Sequence, residues 1–414
     1  MGEAIADIIQ KLHRTGTHPA LEAMRKDIPE GVLPMLSIPG LRPDKVLKVH
    51  RELGVASLDE LEQAARQDRL RAIKGLGPAL QRKILQGIEI CRQGQGQRHL
   101  HRAAELLQAA EENLRNSHLG LKRITPAGDF RRGCELVRDL SLVAETPRLR
   151  RPSEALKTGA QLTVHLADPR HYGITLLRAT GSQAHLDALQ KRAAEKALVF
   201  DEEGLRRGRR VVAGANEEQI YAALGLPFIE PELREGRDEI DRALEGRLPR
   251  LVKDKDIRGI LHAHTDLSDG VDTLDDMAEA VRQRGYSYFG VADHWQSAHY
   301  AGGLSLKEIA QQHASIERLN RDYGSSFRVF QGIESDILRD GSLDYPDDIL
   351  ERFDFVIASV HSLFRLDRKS QTERIIRAVS NPHTTILGHM TGRHLLRRPG
   401  YDIDIEESLR ACAK

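Results

Sequence analysis

The sequence predicts a multidomain chain of α and α/β type: a helical region, a mixed α+β region and a C-terminal distorted (β/α) barrel. Three observations carry this. Residues 1–118 are filled by Ala-, Leu-, Glu- and Arg-rich runs with apolar residues three and four apart, the spacing of one helix face. Residues 119–225 alternate short β-like runs with helical ones. From Ile257 to the last residue, Lys414, apolar strand-like runs and helical runs alternate steadily, the pattern of βα units.

Composition narrows the classes open to it. The 414 residues are 40% hydrophobic and 30% charged, enough apolar material for real cores beneath a well-solvated surface. Aromatic residues make up only 4%, too few for stacking platforms that hold single-stranded bases. The formal net charge of +1 means that any attraction to a polyanion must come from local patches. Cys91, Cys134 and Cys412 lie far apart without CxxC spacing, which excludes a disulfide framework and a cysteine zinc finger and suits a reducing compartment. No run approaches the ~18 apolar residues of a membrane helix. The opening MGEAIADIIQKLHRTG is amphipathic and lacks a signal peptide's apolar core. A cytoplasmic protein without membrane contact is expected.

The helical region contains an internal repeat, Ile38-Pro39-Gly40-Leu41-Arg42-Pro43 and Ile73-Lys74-Gly75-Leu76-Gly77-Pro78. A helical run follows each copy, DKVLKVHRELG and ALQRKILQGIEI, carrying Lys45 and Lys48 in the first and Arg82 and Lys83 in the second. A glycine turn at a helix start aims backbone N–H groups outward, a geometry that receives phosphate without reading sequence. Gly40, Arg42, Lys45, Gly75, Gly77, Arg82 and Lys83 are therefore candidate DNA contacts. In the mixed region, DLSLVAET, AQLTVHLAD and YGITLLRAT read as β-like, and AHLDALQKRAAEKA as helical. Residues 226–256 are charged and hold Pro227, Pro231 and Pro249, which reads as a linker.

The last region carries the chemistry. Ile257–His264 reads as a strand, so His262 and His264, two apart, face the same side. The following strand-like runs end at Asp293-His294, Glu334, His361 and His389, and Asp269 sits in the SDG turn after the HxH. In barrels of parallel strands, active sites assemble at the C-terminal rim. Imidazoles and carboxylates in five successive rim positions cost energy if buried unpaired, and divalent ions remove that cost. Mixed imidazole and carboxylate ligation suits Zn, Mn or Fe better than Ca or Mg alone. Clustered ions of this kind acidify water and clamp both oxygens of a phosphoryl transfer.

The segments LHAHTDLSDG, GVADHW, GIESDILRDGSLDYPDDIL, DFVIASVHS and ILGHMTGR resemble the motifs of the polymerase and histidinol phosphatase (PHP) domain. Their likeness is greatest to that domain at the C-terminus of bacterial PolX-type family X DNA polymerases. The resemblance implies a distorted βα barrel binding up to three ions, Mn or Zn, with His262, His264, Asp269, His294, Glu334, His361 and His389 as ligands. It implies a 3′–5′ exonuclease and end-processing phosphoesterase in DNA repair, with catalytic roles for His294 and Glu334 and a supporting or catalytic one for Asp293. The family draws two further ligands from a late Asp-Ala-His motif that does not occur before Lys414, so one ion position is expected to be under-coordinated.

The likeness extends along most of the chain. Residues 38–43 and 73–78 resemble helix-hairpin-helix motifs, implying DNA with gapped, nicked or frayed ends as partner. Residues 119–225 resemble a family X palm and thumb, with Ala127-Gly128-Asp129-Phe130-Arg131-Arg132-Gly133 in place of the GSxRR nucleotide loop and Thr180-Gly181-Ser182-Gln183-Ala184-His185 matching TGSxxH. Where the family holds two Mg ions with three carboxylates on adjacent strands, this chain has Asp139, Ser141 and Thr163. Neutral hydroxyls do not replace that charge, and Asp129 adds a carboxylate where a triphosphate would sit. The expected site is a degenerate one. Two other readings stay open: a non-catalytic DNA-binding remnant, and a small-molecule phosphatase of histidinol-phosphate type.

Overall fold

The computed structural model describes residues 29–39, 41–117, 120–147, 153–158, 162–295 and 302–414. The amphipathic opening stretch and Gly40 lie outside the described residues. Two compact units emerge, Met1–Arg250 with Leu395–Arg397, and Leu251–His394 with Arg398–Lys414.

In the first unit the internal repeat folds as the same turn made twice. Leu41 N–H donates to Ile38 O (3.1 Å) and Leu76 N–H to Ile73 O (3.0 Å). Proline, whose fixed φ and missing N–H suit the first helical position, then starts α1 (Pro43–Leu53) and α3 (Pro78–Gln93). Between them α2 (Leu58–Arg66) is capped by the Ser57 side chain. The element before each turn is a 3-10 helix, Glu30–Ser37 and Arg69–Ala72. The repeated Ile and Leu positions close one core: Ile38, Leu41, Ile73 and Leu76 pack with Val46, Val49, Leu61, Ile84 and Ile88.

After α4 (Leu100–Ser117), strands β1 (Ile124–Pro126), β2 (Leu140–Glu145), β3 (Ser153–Thr158) and β4 (Leu162–Ala167) form a sheet in the order β1-β2-β4-β3. The short α5 (Gly128–Arg131) lies between β1 and β2. Ala103 and Leu107 of α4 cover one face. The other face meets α6 (Tyr172–Thr180) through Val143, Ala167, Tyr172 and Leu176.

Here the expectation of a β-like run at YGITLLRAT is corrected, since these residues are helix α6. Tyr172–Leu177 and Thr180 are all buried, and a short run that is apolar all round carries no periodicity to separate a buried helix from a strand. The helix α7 (Gln183–Glu195), the antiparallel β5 (Val199–Asp201), β6 (Gly204–Arg207) and β7 (Arg210–Ala213), α8 (Glu217–Ala223) and α9 (Glu239–Leu244) complete the unit.

The linker expected at 226–256 is also corrected in its first half. Leu226, Ile229 and Ala243 belong to a core with Ile174, Leu189 and Tyr221, and Arg234 is fully buried. The charges that suggested solvent are paired inside: Arg234 with Glu217 (2.5 Å) and Glu239 with His185 (2.6 Å).

The second unit runs β8 (Gly259–Ala263), α10 (Leu274–Gln283), β9 (Tyr288–Val291), α11 (Leu306–Tyr323), β10 (Arg328–Asp336), β11 (Phe355–Ser359), α12 (Arg368–Val379), β12 (Thr384–Leu387) and α13 (Ile405–Cys412). Its five strands are parallel and adjacent in chain order, β8 to β12. Ala278, Val281, Ile316 and Leu319 of α10 and α11 cover Phe289, Val291 and Val329, while Ile375 and Ala378 of α12 join the core around Ile333, Val356 and Ala358. Instead of a closed barrel, the described strands form an open sheet curled like part of one. His262 and His389, from its two edges, bring their rings to 6.1 Å. No helix among the described residues is long and apolar enough to cross a membrane.

Candidate metal centre

Glu334, on the central strand β10 with its side chain 1% exposed, is the hub. Its Oε1 lies 3.2 Å from His262 Nε2, 3.4 Å from His361 Nε2 and 3.1 Å from His389 Nε2. Its Oε2 lies 3.5 Å from His264 Nε2 and 3.3 Å from His294 Nε2. Asp269 joins from its turn, 3.4 Å from His264 Nδ1 and 3.6 Å from His294 Nε2.

Three overlapping groups have ligand atoms within 4.8 Å of one another: His262, His264 and Glu334; His264, Asp269 and His294; His294, Glu334 and His361. Sharing of His264, His294 and Glu334 makes these neighbouring positions in one cluster. His389 reaches the same hub from the more open side, 43% exposed.

The route by which His262 and His264 arrive differs from simple alternation. The β8–β9 register shifts between Ile260 and Ala263, and His262 adopts φ +63°. His389 is also left-handed, at φ +22°. Non-glycine residues in this region are strained and persist where their surroundings hold them, often at functional sites.

The donor set fits divalent cations. A carboxylate accepts and does not donate, and a neutral imidazole offers one bare nitrogen. Five Nε2 atoms around one carboxylate therefore need either several protons, which repel each other, or cations between them. His361 illustrates the choice. Its Nδ1 is 2.5 Å from Asp336 Oδ1, so with Nδ1–H donated there, Nε2 faces Glu334 with a lone pair when a cation lies between them and with a second proton when none does. Burial opposes charge on this ring, but Asp336 and Glu334 outweigh it and push its pKa up to about 9. Burial raises the Glu334 carboxyl, yet His262, His361, His389 and Ser359 together hold it well below the usual range. Burial lowers His294 in spite of the attraction of Glu334.

Asp293, expected in a supporting or catalytic role, holds the loop through hydrogen bonds. Fully buried, it accepts from Thr265 N and Oγ1 (both 2.7 Å), Ser268 Oγ (2.5 Å) and Gln312 Nε2 (2.7 Å). It thereby ties the turn bearing Asp269 to β9 and α11. Sequence reasoning passed over Thr265, Ser268, Gln312 and Asp336. Asp336 carried a signal, since it stands two residues after Glu334 on one strand and so shares its face.

The other candidate residues lie in the first unit. Gly75 sits at φ +91°, and a Cβ there would be 2.9 Å from Lys45 Nζ. Lys48 Nζ donates to Lys74 O at 2.7 Å. Both lysines of the first copy thus lean over the turn of the second. Arg82 and Lys83 are exposed on α3, Gly77 precedes that helix, and Arg42 is exposed and paired with Asp44.

On the sheet, Ser141 of β2 and Thr163 of β4 are direct register partners on parallel neighbours, and Asp139 is exposed just before β2. Arg131 is held by Glu217 (2.9 and 2.6 Å) and Thr180, and Arg132 by Glu235 (2.7 Å), Asp129 (2.7 Å) and the Thr180 carbonyl. The loop arginines are neutralised by the protein's own carboxylates.

Against known proteins, the chain is 30% identical to the DNA polymerase/3′-5′ exonuclease PolX of Bacillus subtilis over 439 aligned residues, covering 100% of this chain and 76% of that protein. The chain belongs to the PolX-type family X DNA polymerases. Residues 175–235 match the DNA polymerase beta thumb family, the stretch from within α6 through Glu235. This PolX-type chain is also similar to a probable phosphatase of Acetivibrio thermocellus, 29% identical over 36% of the chain and 59% of that protein. A probable phosphatase of Thermoanaerobacter sp. is 30% identical over 36% of the chain and 58% of its own length.

Proposed function

We propose that this PolX-type chain is a metal-dependent phosphoesterase that shortens DNA ends in the 3′–5′ direction during repair, and that its polymerase site no longer transfers nucleotides. The observation that carries the reading is the convergence of five imidazole nitrogens and Asp269 around the buried Glu334 carboxylate. His262, His264, Asp269, His294, Glu334, His361 and His389 would hold the ions, for which Mn or Zn suits the donor set. When bound, such ions polarise phosphoryl oxygens and acidify water at a phosphate ester. The Asp293 network behind Asp269 ties down the loop that carries this ligand before substrate arrives. The paired helix-hairpin-helix-like turns, with Lys45, Lys48, Arg82 and Lys83, support a phosphate-backbone grip on gapped, nicked or frayed DNA.

The test is a duplex labelled at its 3′ end, incubated with protein stripped of metal and resupplied with Mn or Zn. Stepwise loss of the label, abolished by chelation, is expected. Hydrolysis confined to small phosphomonoesters would favour the phosphatase reading suggested by the phosphatase relatives. No hydrolysis with any ion would favour a DNA-binding remnant.

Loss of polymerase activity rests on Ser141 and Thr163, which supply no charge for Mg, and on Arg131 and Arg132, which are already paired. Primer extension with Mg or Mn is expected to yield no incorporation. Extension abolished by Asp139→Ala would contradict this.

A further inference from the structure

We propose that Asp336 is a positioning residue of the metal centre, fixing His361 in the orientation and tautomer that present its Nε2 inward. The inference rests on the metal-centre reading above and adds a residue to it. Asp336 closes β10 two residues after Glu334, so one strand provides both the hub carboxylate and a second carboxylate behind it. Its Oδ1 is 2.5 Å from His361 Nδ1, on the side of the ring away from Nε2, which faces Glu334 at 3.4 Å.

The backbone that carries this carboxylate is anchored. Asp336 N–H donates to Asp344 Oδ1 at 3.0 Å, and Asp336 is in register with Ser359 of β11, two residues before His361. The two side chains are 15% and 16% exposed, so little water competes for the contact. Donation of Nδ1–H to Asp336 leaves the lone pair on Nε2, and the negative partner makes that nitrogen a stronger donor to a cation. The ring is then aimed between those of His294 and His389, each with its centroid 5.1 Å away. Asp336 does not belong to any of the three ligand groups.

The experiment uses the full chain with cobalt(II) as probe, comparing wild type, Asp336→Asn, Asp336→Ala and His361→Ala. Cobalt(II) affinity and stoichiometry are measured by equilibrium titration, and the His361 tautomer by ¹⁵N imidazole shifts of the zinc-loaded protein. Asp336→Asn and Asp336→Ala are expected to weaken cobalt(II) binding by about 10–100-fold, the usual effect of losing such a partner. They should keep the wild-type number of ions at saturation, and the His361 Nδ1–H signature should be lost in Asp336→Ala. The near-isosteric Asn variant guards against misfolding of the Ala variant.

Wild-type affinity together with an unchanged tautomer in both Asp336 variants would overturn the positioning role. So would the loss of one whole ion, as in His361→Ala, because Asp336 would then be a ligand. A wild-type protein that binds no cobalt(II) would overturn the metal-centre reading itself, a result separate from either.

Discussion

Glu334→Ala is expected to abolish hydrolysis of DNA ends while leaving DNA binding intact. This carboxylate is the only group that meets five of the candidate imidazoles among the described residues, and it belongs to two of the three ligand groups. Its removal takes away the carboxylate between the five imidazoles and leaves Asp269, at one side of the cluster, as the remaining carboxylate among the candidate ligands. Bound ions supply several kcal/mol of charge stabilisation, and each ~1.4 kcal/mol is tenfold in rate. The rate on a 3′-labelled duplex should therefore fall on the order of 10²–10³-fold or more. Affinity for the same duplex should be unchanged, because Lys45, Lys48, Arg82 and Lys83 belong to the first unit. A variant that keeps its full rate would show that Glu334 is not the hub of the site.

Glu217→Gln should be the most destabilising single change in the first unit. Glu217 is buried and accepts from Arg131 and from the fully buried Arg234. Arg234 has few other partners: its Nε donates to Ile229 O at 2.9 Å, and its guanidinium lies over the Tyr221 and Phe228 rings. Removing the carboxylate strands that charge inside the core. Breaking a buried pair from one side costs about 3–5 kcal/mol, readable in urea unfolding.

The pH dependence follows the same contact. Burial raises the Glu217 carboxyl, but Arg131 and Arg234 more than offset it and hold it below its ordinary value. A carboxyl with a depressed folded pKa stabilises fully above its unfolded value of ~4.3, and this is lost as pH falls through the folded value. Wild type should thus lose this stability below about pH 4, and Glu217→Gln should lack that part of the acid sensitivity. A cost under about 1 kcal/mol would mean that Arg234 finds another partner.

The convergence of the candidate ligands was legible in the sequence because they follow strand-like runs one after another, and a parallel sheet in chain order brings strand ends together. What could not be read was local geometry. The register shift at His262 leaves no trace in the pattern of apolar residues, so alternation gave the right meeting place by the wrong path. The commitment of Asp293 to Thr265, Ser268 and Gln312 depends on contacts across 19 to 28 positions.

Elsewhere two causes recur: pairing hidden from a linear reading, and burial that erases periodicity. Arg234 and Glu239 read as solvent-facing charges because Glu217 and His185, their partners, lie 17 and 54 positions away. Helix α6 read as β-like because it is buried nearly all round. The repeat, by contrast, makes the same Ile-to-Leu backbone hydrogen bond in both copies and starts a helix at Pro43 and at Pro78, since these positions specify local structure directly.

Elemental analysis of the full chain, purified without chelator and dialysed against metal-free buffer, tests the central claim most directly. More than one tightly held divalent ion per chain is expected in wild type, with a clear fall in Glu334→Ala and His262→Ala at equal folded fraction. Wild-type protein that retains no divalent ion, and takes up none when Mn or Zn is supplied, would contradict it.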